Sequence, residues 1–311
     1  MHYTVLAGGT GAAKFLLGLR QVIPQEQIHV VVNVGDDTDV WGLHVSPDID
    51  TILYALSDQL DSVRGWGRRD ESFRCLEEMN QFGLPVWFQL GDRDLATHLA
   101  RTEMLRHMSL SEVTTRMARM KGISACVIPA TDDSLRTKIE TPDGTLDFQE
   151  FFVKERSKPD VRSVTYAGAA NAKASAGVLD SIRDAQLVVV APSNPITSIA
   201  PILAVKGIRD ALRCTRAEVV AISPIVGGKA VSGPAAKLME ASGYDVSPIG
   251  VARCYHDFLD NLVLHDSDGD LAPDIRRDTI GVQVTNILMP GPEDARRLAQ
   301  FVIDENRTSP R

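Results

Sequence analysis

The sequence predicts an α/β protein: a Rossmann-like, open, mostly parallel sheet with helices on both faces and an added cap of helices and a hairpin. Three observations carry this. Short apolar, β-branched runs end in turns rich in Gly, Pro, Asn or Ser, stretches of helical periodicity separate them, and the alternation recurs early and late in the chain. The first run, "YTVLAGG" (3–9), reads as a strand stopped by glycines, and "AAKFLLGLRQVI" (12–23) places apolar residues at helical spacing. A second buried strand follows in "IHVVVNVGDD" (28–37), completing a βαβ unit with a right-handed crossover. Late in the chain, "AQLVVVAPSNP" (185–195) and "AEVVAISPI" (217–225) repeat the strand signal around the helical "TSIAPILAVKGIRDAL" (197–212).

The middle differs. "DESFRCLEEMNQFG" (70–83), "DLATHLARTEMLRHM" (94–108) and "SLSEVTTRMARMKG" (109–122) read as successive helices, the last with Ser109 and Glu112 in capping-box spacing. "RTKIETPDGTLDFQEFF" (136–152) alternates around Pro-Asp-Gly as a hairpin does, and "EDARRLAQFVIDENR" (293–307) reads as a closing helix. We therefore expect one domain over residues 1–311, with a helical and hairpin insertion at about 60–160.

Composition narrows the function. With 33 basic against 41 acidic residues the net charge is -8, so attraction to nucleic acid or an anionic membrane is not expected. Cys75, Cys126, Cys214 and Cys254 have no paired spacing, which speaks for buried thiols in a reducing compartment. No leader and no apolar run of membrane-spanning length is legible, so a cytoplasmic location is expected.

"LAGGTGAAKFLLGL" (6–19) fits neither the GxGxxG dinucleotide pattern nor the phosphate-loop pattern. It nevertheless combines glycines that admit an oxyanion to the backbone, a donor in Thr10, and a helix N-terminus that favours negative charge. A tight turn with no ligand is the alternative. "NVGDDTDVWGLHVSPDIDT" (33–51) gathers Asp36, Asp37, Asp39, Asp48 and Asp50, at the sheet edge where strand ends meet. Carboxylates beside a diphosphate call for a hard cation, and Mg²⁺ is normally held by one or two carboxylates plus phosphate oxygens. Taken alone, helix capping by Asp48 and Asp50 after Pro47 explains either residue better than catalysis does.

Arg64, Arg68, Arg69 and Arg93 supply planar forks suited to phosphate or carboxylate in an acidic chain, or else a solvated helix start. His98 reads as a packing or hydrogen-bonding residue. Ser193, Asn194 and Pro195 end one late strand, where side chains can read a base or ribose. "SPIVGGKAVSGPAAKLM" (223–239) ends the next with Lys229 and Lys237; in both, Gly and Pro as simple punctuation is the alternative.

Taken together, "LAGGTGAAKFLLGL", "VVNVGDD", "SPDIDTILYALSDQ", "RGWGRRDE", "LGDRDLATH", "PATDD", "FQEFFV", "APSNPITSIAPIL" and "VSGPAAKLM" resemble the 2-phospho-L-lactate transferase (CofD-like) family of coenzyme F420 biosynthesis, over nearly the whole chain. The resemblance implies a Mg²⁺-dependent homodimer. Its reaction moves a phosphorylated three-carbon acid from a guanosine diphosphate-linked donor to the terminal ribityl hydroxyl of the deazaflavin Fo, releasing GMP. It also implies roles. Gly8, Gly9, Thr10 and Gly11 would cradle the diphosphate, helped by Lys14, Asn33 and Lys237, with Ser193, Asn194 and Pro195 against the guanosine. Asp37 and Asp48 would hold the metal, Asp48 and Asp50 would be catalytic, and Asp50, Gln89, Asp92 and Arg93 would meet Fo. Gln89 stands where family members often carry a basic residue, so an uncharged contact is expected there. Phospholactyl, phosphoenolpyruvyl and phosphoglyceryl donors all stay open.

Two other classes are weighed. A non-catalytic nucleotide-sugar-binding regulator shares the Gly-rich opening, but such proteins tend to have a Gly- and Ser-rich segment where this chain has "TDVWG", "SPDIDT" and "GDRD". An NAD-dependent oxidoreductase could use Asp36 at the end of the second strand, against the glycine spacing and the crowd of acids.

Overall fold

The structure, a computed structural model, describes residues 2–61 and 63–306. Seven strands build the central sheet: β1 (Tyr3–Ala7), β2 (Ile28–Val32), β3 (Cys126–Pro129), β4 (Leu187–Val190), β5 (Glu218–Ile222), β6 (Asn261–Leu264) and β7 (Gly281–Val284). They lie in the order β3-β2-β1-β4-β5-β6-β7, and every neighbouring pair is parallel. This is the Rossmann order with a seventh strand added, and its direction reverses between β1 and β4, where a crevice opens at the strand ends. β1 and β4 are buried along their whole length, as strands covered on both faces must be.

The helix α1 (Gly9–Leu19) packs on α2 (Pro47–Leu56) and on the C-terminal helix Pro292–Glu305, whereas Val178–Arg183 packs against Ile208–Cys214. Right-handed crossovers in opposite directions from β1 and β4 place these two groups on opposite faces. At Gly18 an added Cβ would lie 2.1 Å from the Ala295 carbonyl oxygen, so α1 meets the terminal helix backbone to backbone.

The three middle helices are present as α3 (Arg74–Gln81), α4 (Asp92–Met104) and α5 (Leu110–Met120), the last with its Ser109–Glu112 capping box formed. The hairpin pairs Arg136–Thr141 with Gly144–Asp147, and an unanticipated third strand, Ser163–Ala167, joins its other side. β3 returns to the central sheet inside the 60–160 span, so the added elements form two groups, one on each side of β3. The expected single helix over 197–212 is two, Ala200–Ala204 and Ile208–Cys214, because Gly207 takes a φ of 89° between them. The terminal helix matches 293–305; Arg307 lies outside the described residues. A satellite core of Val40, Val45 and Leu90, with Trp41, Phe88 and Leu95 around it, fastens the small hairpin Thr38–Val40/Leu43–Val45 to the start of α4. Among the described residues no helix is long and apolar enough to cross a membrane.

Candidate active site

The turn after β1 lies at the crevice. Gly8 is extended, Gly9 has a φ of 70°, and α1 begins there. The glycines divide the work. A Cβ on Gly8 would come 2.7 Å from Asp48 Oδ2 and 2.8 Å from Ser198 Cβ, and one on Gly11 would come 2.1 Å from the Pro192 carbonyl oxygen. Both positions are thus required by close packing, while Gly9 has only Ser198 Oγ nearby, at 3.6 Å. Ser193 Oγ donates to the Gly8 carbonyl at 2.7 Å, latching the turns after β1 and β4 together across the crevice. Gly9, Thr10 and Gly11 remain partly accessible at the helix start, and Lys14 is exposed one turn on.

The acidic residues meet this turn. Asn33, at the exit of β2, donates through Nδ2 to Asp48 Oδ2 (2.9 Å) and to the Thr197 carbonyl (3.0 Å). Asp48, in the first turn of α2, accepts the Gly9 N–H on Oδ1 at 2.8 Å. Asp37 Oδ2 lies 3.0 Å from both His44 Nε2 and Ser46 Oγ. Asp36, Asp37, Asp48 and Asp50 are all buried, whereas Asp39 is exposed on the small hairpin. Burial, and then the neighbouring Asp48 charge, push the Asp36 carboxyl well above the usual range. Burial likewise pushes Asp48 up to about 6, against the opposing hydrogen bonds from Asn33 and Gly9.

Among the described residues, Asp36 Oδ1 and Asp37 Oδ1 are buried without a hydrogen-bond partner. Orphaned carboxylate oxygens among mutually repelling acids fit a hard cation, which would supply the missing charge. Among the described residues no three His, Cys, Asp or Glu side chains form a preassembled metal centre.

Asp50, two residues further along α2, sits in a different environment. Arg101 of α4 grips both of its oxygens, Nη1 reaching Oδ2 at 2.8 Å and Nη2 reaching Oδ1. His98 Nδ1 lies 3.6 Å from Asp50 Oδ2, and its Nε2 lies 3.4 Å from Asp94 Oδ1, which accepts the Tyr54 hydroxyl at 2.5 Å. Asp50 and Tyr54 are four apart on α2; Asp94, His98 and Arg101 are four and three apart on α4. The two helices therefore face each other with polar stripes. Burial works against the charge on Arg101, and Asp50 more than compensates, holding its pKa above the ordinary value. Arg101, Asp94 and Tyr54 have no part in the sequence-based assignment. Polar residues at core-facing helical spacing (94, 97, 98, 101) are the signal that marks them.

The remaining assigned residues lie in other settings. Asn194 caps the turn Pro195–Ile199, its Oδ1 accepting from Ile196 N at 3.0 Å and Thr197 N at 3.4 Å, and Pro195 is buried. Lys237 Nζ is clasped by the carbonyls of Ser157, Lys158 and Pro159 at 2.9–3.1 Å. Asp92 caps α3, accepting from Ser72 Oγ (2.6 Å), Cys75 N (3.0 Å) and Arg74 N (3.3 Å). Gln89 and Arg93 are exposed on the cap, and Arg68 donates to the Arg93 carbonyl while lying over the Tyr54 ring. The structure thus brings Gly8, Gly9, Asn33, Asp37, Asp48 and Ser193 together. Asp50 is placed in an ion pair, Asp92 in a helix cap, and Lys237 in a carbonyl clasp.

Residues 3–284 match the family described as 2-phospho-L-lactate transferase CofD. The 2-phospho-L-lactate transferase of Methanosarcina acetivorans is 41% identical over 302 residues, spanning 96% of this chain and 97% of that one. That of Methanocaldococcus jannaschii is 40% identical over 306 residues, 97% of each. The phosphoenolpyruvate transferase of Mycobacterium leprae is 41% identical over 296 residues, 86% of this chain and 89% of that one. Among solved structures, a UPF0052 family member from Bacillus halodurans shares the fold with a TM-score of 0.66 at 18% identity, over 97% of this chain and 98% of that one.

Proposed function

Because the chain belongs to the 2-phospho-L-lactate transferase CofD family, we propose that it transfers a phosphorylated three-carbon acid from a guanosine diphosphate-linked donor to the ribityl hydroxyl of the deazaflavin Fo, releasing GMP, with Mg²⁺ as cofactor. The observation that carries the reading is the group of buried acids with unpartnered oxygens, Asp36 and Asp37, beside Asp48 and the accessible start of α1. An anion-binding helix start and a cation-seeking carboxylate group, side by side at the crevice, suit a diphosphate with its counterion.

In the reaction the ribityl oxygen attacks the phosphorus bearing the acid, the bridging P–O bond to GMP breaks, and the hydroxyl proton leaves to a base or solvent. Asp37 and Asp48 would hold Mg²⁺, which when bound neutralises charge on the diphosphate oxygens. The chain's own work is positioning. N–H groups of Thr10 and Gly11 at the start of α1 orient the diphosphate, the Ser193–Gly8 latch sets the width of the crevice, and Asp50 receives the acceptor hydroxyl. Relatives bear both phospholactate and phosphoenolpyruvate names, so phospholactyl, phosphoenolpyruvyl and phosphoglyceryl donors are all to be tried. The reading extends to a cytoplasmic homodimer, which sedimentation at working concentration tests.

The experiment combines the purified protein with Fo, each guanosine diphosphate-linked donor and Mg²⁺. GMP release with a product of the mass of Fo plus one phosphorylated acid is expected. Nucleotide binding with no GMP release would instead point to a non-catalytic regulator.

A further inference from the structure

We infer that Arg101 is the positioning residue for Asp50 in the transfer reaction, braced by His98; the inference rests on the function proposed above. Arg101 lies outside all the motifs that carry the family resemblance, yet it is only 1% exposed and heads the fully buried side chains by size.

Its contacts specify orientation. The guanidinium fork engages both Asp50 oxygens, which fixes the plane of the carboxylate as well as its place. A carboxylate offers about four acceptor sites, so a two-pronged fork leaves the outer lone pairs of Asp50 for a substrate hydroxyl. His98 Nδ1 lies 3.2 Å from Arg101 Nη1, closing a triangle with Asp50 Oδ2 at 3.6 Å. The fork also ties the first turn of α2, two residues beyond Asp48, to the cap helix that begins with Asp92 and Arg93.

Stability alone explains this arrangement poorly. A buried ion pair repays its desolvation only with complete hydrogen bonding, and an apolar pair of similar volume often serves a core as well or better. Here Arg101 Nε is buried with no hydrogen-bond partner among the described residues, and His98 Nε2 reaches only Asp94 Oδ1, at 3.4 Å. A guanidinium nitrogen left unsatisfied beside one well-held carboxylate describes a network arranged for the aim of Asp50 at the expense of its own satisfaction.

The test uses Arg101→Lys, which keeps a cation beside Asp50 and removes the fork, and the paired variant Asp50→Asn with Arg101→Gln, which replaces both charges with neutral amides of similar shape. For Arg101→Lys, kcat for GMP release falls about 10- to 100-fold while KM for the guanosine diphosphate-linked donor stays within about twofold. The paired variant melts close to the wild type and stays comparably impaired. Unchanged kcat in Arg101→Lys would make Arg101 a charge balancer and overturn the inference, and full recovery of kcat in the paired variant would overturn it by showing the Asp50 carboxylate to be dispensable. So would a parallel loss of kcat, donor KM and melting temperature in Arg101→Lys, which describes a structural role. Wild-type protein that releases no GMP removes the functional reading and this inference with it. Wild-type turnover with an unaffected Arg101→Lys removes this inference alone.

Discussion

Asp48 Oδ1 accepts the Gly9 N–H at 2.8 Å, so a side chain in the first turn of α2 supplies the anion at the N-terminus of α1. The same carboxylate accepts from Asn33, and one group thereby joins the exits of β1 and β2 to α2.

From this follows a prediction about Mg²⁺. Asp48→Asn removes a buried charge whose burial already disfavours it, and loses one accepting oxygen. Without metal its melting temperature should stay within a few degrees of the wild type. Millimolar Mg²⁺ should raise the melting temperature of the wild type by mass action, and that of the variant little. GMP release should fall at least about tenfold. An Asp48→Asn protein with wild-type Mg²⁺ dependence in both measurements would remove Asp48 from the metal site.

Gly9 and Gly11 are expected to fail differently when changed to Ala. At Gly11 the new Cβ meets backbone 2.1 Å away, so the β4 turn must shift, costing about 1–3 kcal/mol or more in a urea titration. At Gly9 there is space, and the cost is the left-handed backbone, about 1–2 kcal/mol. A larger loss in Gly9→Ala than in Gly11→Ala would contradict this division.

Asp92→Ala should uncap α3, with loss of about 1 kcal/mol at most and faster amide exchange confined to residues 74–81. KM for Fo reports separately on whether Asp92 also meets the acceptor. A change in KM without faster exchange would show that the capping contacts are dispensable.

His29 stacks on His2 at 3.9 Å, and burial, followed by the His2 charge, lowers its pKa from 6.5 to about 4. Between those values the unfolded chain binds the proton and the folded chain does not. This group's contribution is therefore complete above pH 6.5 and is lost as pH falls toward 4. His29→Gln should flatten the fall in melting temperature between pH 6.5 and 4, by an amount equivalent to about 1 kcal/mol once solvent screening is discounted. An identical pH profile in both proteins would mean that His29 is not held below its ordinary pKa in the folded chain.

How far the sequence carries can be judged from particular residues. β1, β2, β4 and β5 are legible because each is an unbroken apolar run closed by a turn, and Ser109 with Glu112 marks the start of α5. "GVQV" and "NLVL" are too short and mixed to stand out, so β7 and β6 are visible only once their neighbours pair with them. At the site, the glycines and the acid cluster are legible by composition. The pairing of Arg101 with Asp50 is not, because the two lie 51 positions apart and only the docking of α4 on α2 brings them together. Lys237 shows the converse: a lysine in a Gly-rich region suggests phosphate, and three backbone carbonyls claim it.

The close approach of Gly18 to Ala295 has a consequence for biosynthesis. During translation the helix that starts at the glycine turn lacks its partner at Gly18 until residues 292–305 have left the ribosome, so that side of α1 stays uncovered until then. A polypeptide stopped before Pro292 should accordingly be cut by protease within 9–19 while the full chain resists.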